Sequence, residues 1–356
     1  DPAGIDVALV RTEGRDVVEF GPSLAIDYAP QTKRTIEASL EDARAISERF
    51  ERPAKTADVE RLVTDLHADA VKRFLGDNGI DPENVDVIGF HGQTVLHRPD
   101  EGLTVQLGLG DGLAKQTGID VVYDMRAADM VAGGQGAPLV PVFHQALVKT
   151  LEQPTPLCFV NIGGISNITY VDRDTLIAFD SGPGNALIDQ WVAGEGGVPF
   201  DQGGRIASEG RVVASIADRY IAAEYFNQDV PKSLDRNDFS PLESGIAELS
   251  DGARTLAHIS AAAIYKACDH LPEKPKVWII CGGGRLNDVI VNDLTELARG
   301  DKASVLLAED VGLQGDMLEA QAFGYLAVRS LEGLPLTFPT TTGCRKPVTG
   351  GVLAKS

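Results

Sequence analysis

Short apolar runs alternate along this chain with longer stretches of helical spacing, and that alternation restricts the fold more than any single motif. The runs DVALV, VDVIGF, GIDVVY, LCFVNIGG, TLIAF, KVWIICGGG and ASVLL read as strands. Several end at glycine, as buried strands of α/β sheets often do. Between them, residues 38–50, 56–76, 142–151, 208–224, 252–270, 286–298 and 316–331 carry apolar residues at helical intervals. An α/β fold follows. A chain of 356 residues exceeds the size at which one core usually keeps growing, so two domains around a cleft are expected. The glycine-rich VAGGQGAPLVP, residues 131–141, is the natural crossing between them.

Charge narrows the partners. A formal net charge of −20 argues against a general nucleic-acid or anionic-membrane surface, because phosphates and anionic headgroups are held by Lys and Arg. A small anion is still compatible, since glycine loops and helix N-termini bind phosphate locally. Cys158, Cys268, Cys281 and Cys344 lie far apart without C-x-x-C spacing and read as reduced, mostly buried thiols. No apolar run approaches the roughly 18 residues that span a bilayer, and no signal-peptide pattern opens the chain. The expectation is a soluble cytoplasmic protein.

Three glycine turns follow strand-like runs. In VNIGGISNITYV (160–171), Gly163 and Gly164 turn a hairpin whose backbone amides could approach an anion, with Ser166 and Asn167 as added side-chain donors. An ordinary Gly-Gly hairpin explains the same residues. In FDSGPGNALIDQW (179–191), Asp180 ends an apolar run before a turn holding Gly182 and Gly184, and a helix follows. The carboxylate is either a helix cap or a working group. In VWIICGGGRLNDVI (277–290), a buried strand meets Gly282, Gly283 and Gly284 and then a helix, the place where open α/β sheets bind ligands. Neither the Rossmann nor the P-loop pattern is present.

Two further stretches carry polar groups beyond strands. FHGQTVLHRP (90–99) offers His91, Gln93 and Thr94. His91 and His97 are spaced for neither one helix face nor a zinc motif, so no metal ligands are assigned. In DMRAADMVAGGQGAPLVP, Arg126 could clamp a carboxylate or phosphate, or form a surface salt bridge with Asp129. PKSLDRNDF (231–239), with Lys232, Asp235, Arg236 and Asp238, could by composition be a solvated connection.

Taken together, HGQTVLHRP, DMRAADMVAGGQGAPLVPVFH, VNIGGISNITY, FDSGPGNALIDQW, PKSLDRNDF, CGGG and GDMLEAQAFGYLA resemble the anhydro-N-acetylmuramic acid kinase family, in the same order and over essentially the whole chain. The resemblance implies a two-lobed sugar kinase/Hsp70/actin-like (ribonuclease H-like) fold with nucleotide in the cleft. The lobes would comprise 1–135, with 340–356 returning to it, and 136–339. It implies a kinase that uses ATP and Mg2+ to open 1,6-anhydro-N-acetylmuramic acid hydrolytically and phosphorylate oxygen 6, giving N-acetylmuramic acid 6-phosphate in peptidoglycan recycling. A homodimer is implied as well. Asp180 would be the general base that activates water. Glu319 and Arg126 would lie near the sugar, with His91, Gln93 and Thr94 also on the substrate side. Gly163, Gly164, Ser166, Asn167, Gly182, Gly184 and Gly282 to Gly284 would meet the nucleotide. The chain departs from the pattern at Ala3 and at Leu109, where the family shows acids, and the phosphate-loop segment that precedes Gly4 in the family is not in the sequence. Two other readings stay open at this point: a weakly active nucleotide-binding relative, and a kinase for an ordinary sugar hydroxyl.

Overall fold

The computed structural model describes residues 4–234 and 238–356; Ala3, Asp235 and Arg236 lie outside them. The chain divides into two compact units, residues 1–150 with 317–356, and residues 151–316. The division falls at 150/151 and 316/317. The expected positions were 135/136 and 339/340. The glycine-rich stretch 131–141 therefore lies inside the first unit, which corrects its reading as the crossing. The buried Asp129 carboxylate holds it there: Gly136 N–H donates to Oδ2 at 2.7 Å, while the hydroxyls of Thr337 and Thr342 donate to Oδ1 at 2.5 and 2.7 Å.

The first unit contains β1 (Gly4–Thr12), β2 (Val18–Asp27), β3 (Ile88–Phe90), β4 (Gln93–Arg98), β5 (Leu103–Leu107) and β6 (Val121–Tyr123). The second contains β7 (Leu157–Ile162), β8 (Ile165–Asp172), β9 (Thr175–Pro183), β10 (Val277–Cys281) and β11 (Ser304–Leu307), and β12 (Val352–Ala354) returns to the first. In the first unit β1 and β2 form an antiparallel hairpin, as do β4 and β5. β3 runs parallel to β6, whose other edge takes β12 antiparallel. The helix Thr56–Asn78 ends at Gly79 in the left-handed region (φ 63°), where a side chain would be strained.

The second unit is one five-stranded sheet in the order β11-β10-β7-β8-β9. Only β8 is antiparallel to the rest, which is the ribonuclease H-like arrangement. Every residue of β10 is buried, as a central strand covered on both faces requires. Trp278, Ile280, Cys158, Val160 and Tyr170 pack in one core with Leu256, Ile259 and Ala263 of the helix Leu249–Lys266. The helix Asp288–Arg299 is N-capped by Asn287, whose side chain accepts from the amides of Val289 and Ile290. All four cysteines are free thiols, and three are buried. No helix among the described residues is long and apolar enough to cross a membrane.

Candidate active site

The carboxyl ends of β7 and β10 bring the three glycine turns together. Gly184 and Asn185 amides donate to the carbonyls of Gly164 and Gly163, at 3.0 and 2.8 Å, so the β7–β8 hairpin caps the start of the helix Ala186–Gly196. The third turn closes on the same strand end. A side chain at Gly282 (φ 74°) would strike Asn161 Oδ1, and one at Gly284 would lie 2.2 Å from Ile162 Cγ2 and 2.9 Å from Asn185 Nδ2.

The glycines divide by cause. At Gly182 an added Cβ would lie 2.6 Å from Ala263, and at Gly184 it would lie 2.3 Å from the Gly163 carbonyl. With Gly282 and Gly284, these are glycines that packing demands. At Gly163 and Gly164 the nearest atom would be 3.5 Å away, and at Gly283 nothing lies within 4 Å. Neither sterics nor a left-handed φ requires glycine at those three positions; the Gly163 amide donates to the Ile165 carbonyl at 3.0 Å, so the backbone left open to an approaching group is at Gly164 and Gly283. Ser166 does not join them: its hydroxyl is fully buried, 2.7 Å from Ser181 Oγ, and bonds inward to the Gly182 carbonyl. Asn167 pairs across the sheet with Asp180.

β9 continues through Asp180 to Pro183, so Asp180 sits within a strand and caps no helix. Ser181 is the extra residue of a bulge, because Asn167 faces Asp180 and Ser166 faces Gly182. The strand's local hydrogen bonding is taken over by another segment. Asp180 N–H donates to the Lys232 carbonyl at 2.9 Å, Tyr225 Oη donates to the Asp180 carbonyl at 2.5 Å, and Leu234 N–H donates to Asp180 Oδ2 at 2.8 Å. Burial pushes the carboxyl up from 3.8 to about 6, against the lowering effect of the Leu234 amide. By composition 231–239 could have been a solvated connection; in the structure Lys232 is buried, and residues 232 and 234 frame the carboxylate. Its leading signal in the sequence was that quoted stretch, but which backbone groups it would present could not be read from residue types.

The sugar-side candidates all lie in the first unit, where Arg126, His91 and Glu319 form one group and Gln93 and Thr94 belong to β4. Arg126 donates from Nη1 to the Gly136 carbonyl at 2.9 Å, and its Nη2 lies 3.0 Å from His91 Nε2. Because guanidinium only donates, His91 Nε2 is the acceptor and the ring is neutral. Burial, and then the Arg126 charge, hold His91 well below its ordinary pKa. Arg126 therefore makes no surface salt bridge with Asp129; its Nε is buried without a partner. The carboxylates of Glu319 and Asp129 oppose the effect of burial on the guanidinium. Glu319 is exposed in the first turn of the helix Leu318–Leu331, and Phe323 of that helix lies 4.7 Å from the His91 ring, centroid to centroid.

Gln93 and Thr94 lie in β4, where Thr94 Oγ1 accepts from Gln106 Nε2 at 3.3 Å. A cavity of about 530 Å3 in this unit is lined by His91, Gly92, Gln106, Leu109 and Asp111, among others, and by the Arg49–Asp124 ion pair. Of the residues named from sequence for the sugar, only His91 lines it. Leu109 is exposed, and its amide bonds to Thr64 Oγ1 at 3.0 Å, while Glu60 takes the Gly108 amide. Helix residues 60 and 64 thus order the backbone around Leu109. No group of three or more His, Cys, Asp or Glu side chains that could hold a metal occurs among the described residues.

A profile of the family described as anhydro-N-acetylmuramic acid kinase matches residues 3–356. An anhydro-N-acetylmuramic acid kinase from Agrobacterium fabrum is 54% identical over 356 residues, covering 99% of this chain and 95% of the relative. The protein of that name from Rhizobium johnstonii is 55% identical over 353 residues, with the same coverage of each chain. That from Brucella canis is 53% identical over 352 residues, covering 98% of this chain and 94% of the relative.

Proposed function

The chain belongs to the anhydro-N-acetylmuramic acid kinase family, and we propose that Asp180 is the general base with which it opens the sugar's 1,6-anhydro bridge while ATP phosphorylates oxygen 6. The observation that carries this reading is the Asp180 carboxyl: burial brings it to about 6, and a backbone amide holds one oxygen. A base is most effective with a pKa near the working pH, where it is ionised yet still proton-hungry. Water adds to carbon 1 and gives its proton to Asp180. The bond from carbon 1 to oxygen 6 breaks, oxygen 6 takes the γ-phosphoryl group, and ADP leaves. The products are N-acetylmuramic acid 6-phosphate and ADP, a step of peptidoglycan recycling.

The open backbone at Gly164 and Gly283, with the uncrowded Gly163 beside them, supports a nucleotide site at the ends of β7 and β10, where amides rather than side chains would meet phosphate. Neutral His91 and the half-buried Arg126 beside it suit a polar, anionic amino sugar. Mg2+ would enter with ATP, since that ion keeps several waters and takes few protein ligands, commonly one or two carboxylates plus phosphates. The reading includes a cytoplasmic setting, where ATP is supplied, and the homodimer implied by the family resemblance.

The test is a reaction in ¹⁸O-labelled water, quenched rapidly. Label on carbon 1 of the product and none in its phosphate ester is expected. An unlabelled carbon 1 would instead make the protein a kinase of an ordinary hydroxyl, and label in inorganic phosphate would mean that ATP is merely hydrolysed. Asp180→Asn should lower turnover roughly 10²–10⁴-fold while leaving ATP affinity intact; an active Asn variant would remove Asp180 from the chemistry.

A further inference from the structure

Lys232 is a buried cation without a carboxylate partner among its hydrogen bonds. It is 6% exposed, and Nζ donates to the carbonyls of Tyr225 at 2.9 Å and Phe226 at 3.3 Å. The Tyr225 ring lies 4.7 Å from Nζ and the Phe179 ring 5.8 Å, so aromatic faces replace part of the lost hydration. His270 Nε2 approaches Nζ to 3.1 Å, but the same nitrogen lies 2.7 Å from the Phe226 carbonyl. That shorter separation requires Nε2 to carry a proton and donate it, which leaves no lone pair for the lysine. The ammonium is therefore held by two carbonyls and two rings. Burial pulls its pKa down to about 8. Leaving an ion in such a place is costly, and an apolar residue would fill the space more cheaply.

Its backbone explains the placement. The carbonyl of Lys232 accepts the Asp180 amide, and two residues later the Leu234 amide reaches Asp180 Oδ2. We infer that Lys232 is a positioning residue for the reaction, whose ammonium fixes the 232–234 backbone so that the Leu234 amide is held against the Asp180 carboxylate. This rests on Asp180 being the base. The side chain is turned toward the 225–226 carbonyls, so Lys232 acts through the loop and not by touching substrate. The titratable and charged groups around it are Tyr225, Asp238, His270, Lys266 and Asp269, and the substitutions below leave them all in place.

The Leu234 amide favours the ionised carboxylate, so losing it must raise the pH at which Asp180 becomes a base. In Lys232→Met the acid limb of the kcat profile should move up by roughly one pH unit, a loss of roughly fivefold at pH 6 that grows toward tenfold below pH 5 and shrinks toward pH 8. ATP affinity should not change. Leu234→Pro removes the amide but keeps the lysine charge, so an equal shift there separates positioning from a direct effect of the cation. The double variant should shift no further than either single one. Lys232→Arg, which keeps a cation with donors, should return the limb toward the parent. If Lys232→Met fails to fold in a thermal scan, Lys232→Gln is read the same way.

An unmoved acid limb in the lysine variant, additive shifts in the double variant, or a raised KM for ATP with an unmoved limb each overturns the inference. The last result would place the ammonium on phosphate. Full activity of Asp180→Asn, by contrast, would overturn the base assignment itself, whatever Lys232 does.

Discussion

Asp180 is held by the fold where its proton is bound more tightly than on a free carboxyl. Its carboxyl ionises at about 6 in the folded chain against an ordinary 3.8, because burial penalises the charge. The neutral form is thus the one the fold favours. Stability linked to this group is full below pH 4 and is lost as pH rises through about 6; the loss amounts to about 2–3 kcal/mol above that point. Asp180→Asn should therefore unfold at a higher urea midpoint than the parent at pH 8 and at the same midpoint near pH 3.5. A difference that does not change with pH would refute this. That Asp180 stands between an apolar run and a glycine-rich stretch was legible in the sequence. The two backbone bonds from 232 and 234 were not, because they join residues about fifty positions apart through main-chain groups that every residue type carries.

At the scale of elements, the glycines that packing demands and the glycines that leave space open should respond differently. Gly284→Ala sets a methyl 2.2 Å from Ile162 Cγ2 within the core of the second unit, and should cost about 1–3 kcal/mol of stability. Gly163→Val and Gly283→Ala should leave the melting temperature nearly unchanged and weaken ATP binding, as titration calorimetry would show. Unchanged affinity in both would return these turns to ordinary loop chemistry. The same physical distinction governs what could be read beforehand. β10 is a continuous apolar run, and β7 is one as far as Val160; burial on both faces leaves such strands no other composition. β2, VEFGPSLAID, has Gly21 and Pro22 in its middle and is half exposed, so nothing in its composition separates it from a loop. The helix expected over 38–50 runs from Pro30 to Ala43, since proline at its first position starts it. Residues 44–50 leave the helix, and Arg49 pairs with Asp124. Hydrophobic spacing located the helical patch but not its ends.

On the scale of the whole molecule, the first unit is built from two separated lengths of chain, and Asp129 is one place where they are joined. Its carboxylate accepts from Gly136 in the first length and from Thr337 and Thr342 in the second. Asp129→Ala would leave three donors buried and unpaired, and should cost about 3 kcal/mol or more. Limited proteolysis should then cut within 1–150 or 317–356 while sparing 151–316. Equal loss of both units would show that they unfold together. The division at 316/317 also makes an order of events during synthesis. Residues 151–316 leave the ribosome as a complete unit, whereas the first unit must wait for its final strand, Val352–Ala354, to reach Val121–Tyr123. For the time taken to translate about two hundred residues, the half of the enzyme made first stays unfinished and the half made second can already be native. A released chain truncated near residue 340 should thus present a protease-sensitive amino-terminal region attached to a resistant successor.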